Sequence, residues 1–434
     1  MTIGRRTVLA APLAATGLLA GCSSGAGDEN TLTFLNAHSG AYDNVVEAFE
    51  DAHPGVRIEL QSVPFEQLVE QIQARLASGD SSIDVMSVDP PRLAGMVEQG
   101  FLTDESAHVD AMRENASDVG INSITAQDRQ WAYPLWTSDN FLFYHRGVLE
   151  AAGVDLPGRS SEDRLTWEQV LDVARAMIDG GQTRYGLAMD QVNRYYAVQP
   201  MIESFGASPG LVGEDSLSPA VDAPEWIAFG QWYADLFASG VMPRGVDPAQ
   251  MVDLFRSGQS AFLLGGASGI GELAEGDFAS AWDMAPHPYF EDGPIVTPTD
   301  SWAIGISSFS TKQDLAREFV QFATLDPEGA RLSSSILSLP PVNPTAFEFY
   351  VEDLTALAPH QTKGFAELFR TDSDEYARHR PTSVGYVQFE NTMNDAFTDL
   401  STGADVTRVL TDAQQTLERQ LARQRELAKS DDNR

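Results

Sequence analysis

The chain has 434 residues, 43% of them hydrophobic, which is enough for two domains with cores of ordinary extent. A formal charge of −35 excludes a surface made to hold nucleic acid or anionic lipid, because the field over such a surface repels both. Cys22 is the single cysteine, so disulfides within the chain are excluded and packing has to supply the stability.

The N-terminus is ordered like a secretory signal. Arg5 and Arg6 are basic, Thr7 to Gly21 is apolar, and Ser23 to Asn30 is polar. The apolar run falls short of the roughly 20 residues that span a bilayer. Leu18-Leu19-Ala20-Gly21-Cys22 looks like the lipobox of prokaryotic lipoproteins, in which cleavage leaves the lipid-bearing cysteine as the first residue. Residues 1–21 are therefore read as a signal peptide and 22–30 as a lipidated linker, with the lipid on Cys22. Arg5-Arg6-Thr7-Val8-Leu9 resembles a twin-arginine signal, and the general secretory route stays open beside it. Either route places the mature protein outside the cytoplasm, tethered to a membrane face. Removal of residues 1–21, which carry two arginines and no acid, takes the charge to −37.

Thr31 to Asn36 has the β-branched and aromatic content of a strand, and a loop at Ala37 to Gly40 follows it. Val45, Val46, Phe49 and Ala52 mark a helix face that ends at His53-Pro54-Gly55. Val56 to Ser62 is a second strand. Phe65, Leu68, Val69, Ile72 and Leu76 recur at helical spacing, and Ile83 to Val88 is an apolar strand that runs into Asp89-Pro90-Pro91. Three strand–helix units in succession predict a parallel α/β lobe. Ligands of such sheets sit outside the carboxyl ends of the strands, so the loops at His38 to Tyr42 and Asp89 to Arg92 are the expected binding edges. Beyond the aromatic segment Trp131 to Trp136, Phe141 to His145 reads as a buried strand. Thr166 to Gln169 is a capping box. Trp226, Phe229, Tyr233 and Phe237 line a helix, Ala261 to Leu264 is a strand before Gly265-Gly266, and Trp302 to Ile306 is another strand. Tyr386 to Leu400 and Val409 to Leu421 supply two last helix faces.

Five blocks in order carry a resemblance. They are Gln99-Gly100-Phe101-Leu102-Thr103-Asp104; Ala132-Tyr133-Pro134 with Leu142-Phe143-Tyr144-His145-Arg146; Leu165-Thr166-Trp167-Glu168-Gln169; Phe255-Arg256-Ser257-Gly258-Gln259-Ser260-Ala261; and Ser301-Trp302-Ala303-Ile304. Together they resemble the family 1 extracellular solute-binding proteins of ABC importers, the maltose-binding-protein-like group, from about Leu32 to Leu421. The chain departs from the pattern at His145, at Phe262 and at Asp300-Ser301, where paired glycines are common. The resemblance implies an α/β periplasmic-binding-protein-like fold of two lobes joined by hinge crossings, with the ligand cleft between them. It assigns residues 31–137 and 305–370 to the N-terminal lobe, and 138–304 and 371–434 to the C-terminal lobe.

A sugar offers hydroxyls that donate and accept, together with flat C–H faces, so its site needs carboxylates or amides and aromatic faces. Trp136, Tyr196 and Trp302 are the aromatic candidates. Tyr196 and Trp302 match aromatics of the sugar-binding relatives, and Tyr195 competes with Tyr196. His38, Asp89, Asp139 and Asn193 are the polar candidates; Asp89 before Pro90 could equally set a turn. Trp167 and Trp226 lie on amphipathic faces and are read as core. Gly265-Gly266 either turns the chain or lets backbone approach a ligand, with the turn preferred. No metalloprotease, nucleophile-elbow, P-loop or dinucleotide motif occurs, and no metal-ligand spacing of histidines. The expected protein is a monomeric lipid-anchored receptor, without cofactor, metal or catalytic residues, that delivers an oligosaccharide or glycoside to ABC permease subunits. Two alternatives stand beside it: a receptor for a polyamine, metal chelate or polyol phosphate, and a secreted glycoside-active enzyme.

Overall fold

The computed structural model describes residues 29–247, 250–336 and 339–431. The expected signal peptide, Cys22 and all of the expected linker except Glu29 and Asn30 lie outside the described residues.

Thr31–Asn36, Arg57–Ser62 and Val85–Val88 form a parallel set joined through the helices Asp43–Ala52 and Phe65–Leu76. The helices cover the sheet because Val45, Phe49, Leu68, Ile72 and Leu76 fall at 3.6-residue spacing and are all buried. One strand arrives from far along the chain. Trp302–Ile306 inserts antiparallel between Val85–Val88 and Tyr133–Trp136, which completes a five-stranded sheet. The expected lobe border near residue 304 therefore moves. Hydrogen bonding along the ladder pulls the whole of Trp302–Ile306 into the first lobe, and the crossing lies just before it.

The second sheet has four strands in the order Trp282–Pro286, Asn140–His145, Ser260–Gly266 and Tyr185–Met189. Asn140–His145 runs antiparallel to both of its neighbours, and Ser260–Gly266 runs parallel to Tyr185–Met189. Gly265 and Gly266 pair with Phe141 and Asn140, so they continue the strand and do not form a turn. Thr166 caps the helix Trp167–Asp179 through the reciprocal bonds with Gln169.

Each sheet has its own apolar core, one around Phe34, Phe49 and Phe319, the other around Phe143, Trp226 and Tyr386. Burial of each such large side chain contributes about 1.5–3 kcal/mol. Trp167 and Trp226 are core residues, as their helical spacing predicts. The second core also takes Phe347, Tyr350, Leu354, Phe365 and Phe369. The stretch from Pro344 to 370 thus packs on the second lobe and not on the first, since the aromatic stripe of the helix Pro344–Leu357 faces Phe365 and Phe369.

Three chain crossings lie side by side between the cores, near residues 137–140, 298–301 and 340–343. The Thr137 and Thr299 hydroxyls are 2.9 Å apart. The Thr137 N–H donates to the Pro340 carbonyl at 2.9 Å, and the Val342 N–H donates to Leu135 at 3.0 Å.

Candidate functional site

A cavity of about 340 Å³ opens between the lobes beside these crossings, within the usual size of a small-molecule site. His38 and Asp89 reach it from the carboxyl ends of first-lobe strands. Ser138, Asp139 and Asn140 reach it from the first crossing, and Asp300, Ser301 and Trp302 from the second. Asp190, Gln191, Arg194 and Tyr196 come from the end of Tyr185–Met189 and the helix after it.

Of the sequence-predicted residues, Trp302, Tyr196, Asp89, Asp139 and His38 line this cavity. Trp302 is half-buried, with His38 and Phe65 both perpendicular to its ring at centroid distances of 4.5 and 5.6 Å. The register shifts between Trp302 and Ala303, which interrupts the ladder where the side chain meets the cleft. Tyr196 lies on the second-lobe wall, and its hydroxyl donates to Ser138 at 2.8 Å. Its neighbour Tyr195 is buried in the second core. The Gly266 backbone also reaches the cavity, although a Cβ there would meet nothing nearer than 3.5 Å, so backbone access does not demand glycine.

Two predicted residues stand elsewhere. Trp136 is 2% exposed, stacked on Tyr42 at 5.6 Å, with its indole N–H donating to the Ser334 hydroxyl at 3.1 Å. It backs His38 from one layer behind the cavity. Asn193 accepts from the Tyr233 hydroxyl at 3.3 Å and does not line the cavity.

Charge in the site is arranged by burial and by partners. Burial lowers the His38 imidazole to a pKa of about 4, so it is neutral at pH 7, and its Nδ1 is buried with no hydrogen-bond partner. Burial pushes the Asp139 carboxyl well above the usual range, and Asp372, within hydrogen-bonding reach, adds to the effect. Oδ2 of Asp139 and Oδ2 of Asp372 are each buried without a partner; one proton shared between the carboxyls satisfies both. Asp372 in turn is ion-paired to Arg164. Burial raises Asp190 as well, and Glu272 acts in the same direction. For Arg380, burial opposes the positive charge, but the surrounding groups, Asp89 foremost, more than offset it.

Sequence reasoning missed Arg380, Asp190, Arg194, Phe65 and Glu390. Asp190 carried a signal, since it follows an apolar strand as Asp89 does. Arg380 carried none, because it follows a two-residue strand more than 290 residues after Asp89, its bonding partner.

The cavity lies between two α/β lobes joined by three crossings, and comparison with known proteins gives the family. The profile of bacterial extracellular solute-binding proteins matches residues 36–330. The chain belongs to this family. Similar curated proteins include the sn-glycerol-3-phosphate-binding periplasmic protein of Agrobacterium fabrum, 24% identical over 226 residues, a stretch that spans 50% of each chain. The mannitol-binding protein of Pseudomonas aeruginosa is 20% identical over 337 residues, 75% of each chain. This solute-binding protein thus spans about half the length of some curated relatives that it matches. Its fold is that of solved ABC substrate-binding proteins. One, from Listeria monocytogenes in complex with cycloalternan, superposes with a TM-score of 0.76 at 19% identity, over 91% of this chain and 100% of that one. The GacH receptor of Streptomyces glaucescens, solved unliganded and with acarbose, gives 0.74 at 20% identity, over 90% and 98%. The two-lobed α/β expectation is borne out by these likenesses.

Among the described residues, no group of three or more acids, histidines or cysteines could hold a metal ion, and no helix is long and apolar enough to cross a membrane.

Proposed function

We propose that this solute-binding protein takes a carbohydrate, an oligosaccharide or glycoside, into the cleft between its lobes and delivers it to an ABC importer. One observation carries the reading: aromatic rings from both lobes, Trp302 and Tyr196, line one cavity together with the hydrogen-bonding groups Asp89, Asp139, Asp190 and the neutral His38. Rings match the C–H faces of a sugar, and carboxyl and imidazole groups match its hydroxyls. Names of relatives that bind mannitol and arabinooligosaccharide support the same class. Within this proposal the lipid on Cys22 tethers the receptor outside the cytoplasm, beside the permease.

A thermal-shift screen with maltose, maltotriose, mannitol and sn-glycerol 3-phosphate tests the class. A ligand at 100 times its dissociation constant stabilises by about 2.7 kcal/mol. No shift with any carbohydrate, and a shift with spermidine, would replace the sugar by a polyamine; Asp190, a cavity carboxyl with no ion-pair partner among the described residues, favours that second reading. Release of smaller sugars from maltotriose would make the protein an enzyme. For the anchor, Cys22→Ala should move the protein from the membrane fraction to the medium; retention in the membrane removes the lipid.

A further inference from the structure

Arg380 is 5% exposed and bonds to groups from several parts of the fold. Its Nη2 donates to Oδ1 of Asp89, in the first lobe, at 2.9 Å, and to the Asp300 carbonyl on the second crossing at 3.1 Å. Its Nη1 donates to the Tyr386 hydroxyl at 3.3 Å, and its backbone N–H donates to Oδ2 of Asp300 at 2.8 Å. The guanidinium carbon stands 5.1 Å from the centroid of the Tyr196 ring. Arg92 spans the same gap in the opposite sense. From the first lobe it pairs with Asp89 at 3.0 Å and with Glu390 of the second lobe at 2.5 Å.

A guanidinium is flat, bonds through its edge and stacks through its face, so one arginine can serve a carboxylate and a ring together. Here the carboxylate and the ring belong to different lobes, so a hinge motion between the lobes would change their separation. We propose that Arg380 is a positioning residue that makes the stacking face of Tyr196 depend on lobe closure: Asp89 fixes the guanidinium, and the guanidinium fixes the ring. The ring is then set for a ligand only when the first-lobe wall is in place. This refinement rests on the carbohydrate reading of the cleft, since it gives Tyr196 a sugar face to stack on.

The test uses the protein with carbon-13-labelled tyrosine rings, with the Tyr196 signal assigned as the one missing from Tyr196→Phe. Asp89→Asn, a change in the opposite lobe, should shift and broaden that signal, and Arg380→Lys, which keeps the charge but loses the flat fork, should do the same. Maltotriose is the probe for affinity. Arg380→Lys should weaken it by about 10-fold, and combination with Tyr196→Leu should add nothing to the loss from Tyr196→Leu alone. A Tyr196 signal unchanged in Asp89→Asn overturns the proposal, as do additive losses. Failure of the unaltered protein to bind any sugar overturns the carbohydrate reading instead, and the ring signal still decides whether Asp89 sets Tyr196 through Arg380.

Discussion

Asp300 accepts a hydrogen bond from His379, with Oδ1 2.5 Å from Nδ1, and this bond ties the second crossing to the strand Ala377–Arg378 of the second lobe. Asp300 has φ 65°, the left-handed region that glycine enters freely and Asp and Asn more readily than other side chains. Paired glycines are common at this place in the resembling family. The aspartate keeps the backbone turn and adds a carboxylate for His379 and the Arg380 N–H.

That bond has a pH dependence. Burial works against the charged imidazole, but the hydrogen bond and charge of Asp300 prevail, and the His379 pKa is raised above 6.5. A raised folded-state value means that the stabilisation is complete below about pH 6.5 and is lost as pH rises through the folded pKa. The melting temperature of the unaltered protein should therefore exceed that of His379→Gln by most near pH 6, with the gap closing in alkaline buffer. A gap that grows with pH would show the histidine to be neutral in the folded protein.

Asp139 gives a second pH signature. Its carboxyl is raised by burial and by Asp372, so the stability it lends is present at low pH and lost as pH rises through the folded value. Asp139→Asn mimics the neutral acid and can still donate to Asp372. The variant should match the unaltered protein in acid and become the more stable of the two as pH rises. Equal chemical-denaturation midpoints across the whole range would mean that no proton is shared.

Trp302→Ala separates a cleft residue from a core residue. Loss of an anchor side chain commonly costs at least about 2 kcal/mol of binding, or roughly 30-fold in affinity. Because Trp302 is half-buried at the cavity edge, the melting temperature without added sugar should fall little. A large fall in melting temperature with unaltered affinity would remove Trp302 from the site.

Trp136→Ala should do the reverse. This ring fills space between Tyr42 and His38 and donates to Ser334, so truncation leaves a cavity and removes one hydrogen bond from a hydroxyl that still donates to the Ala330 carbonyl at 3.0 Å. The cost to folding should be about 3–5 kcal/mol, as for other buried aromatics. Denaturant titration reads it directly; a cost under about 1 kcal/mol would show that the site collapses around the gap.

The local order of residues fixed much of this protein. Period-3.6 and period-2 apolar spacing marked the strand–helix units of the first lobe, the capping box at Thr166 and the burial of Trp167 and Trp226, because those patterns depend only on neighbours along the chain. The carboxyl-edge rule placed His38 and Asp89 at the cleft. Tertiary structure alone decided which lobe owns Trp302–Ile306 and the helix Pro344–Leu357, since both are long-range packing choices that no local pattern encodes. It also decided that Trp136 backs the cavity while Trp302 lines it, although the two pair across adjacent strands. The meeting of Asp89 with Arg380 is of the same kind. A buried guanidinium is stable only where carboxylates from distant parts of the chain converge on it, and that convergence is a property of the folded lobes, absent from any stretch of sequence.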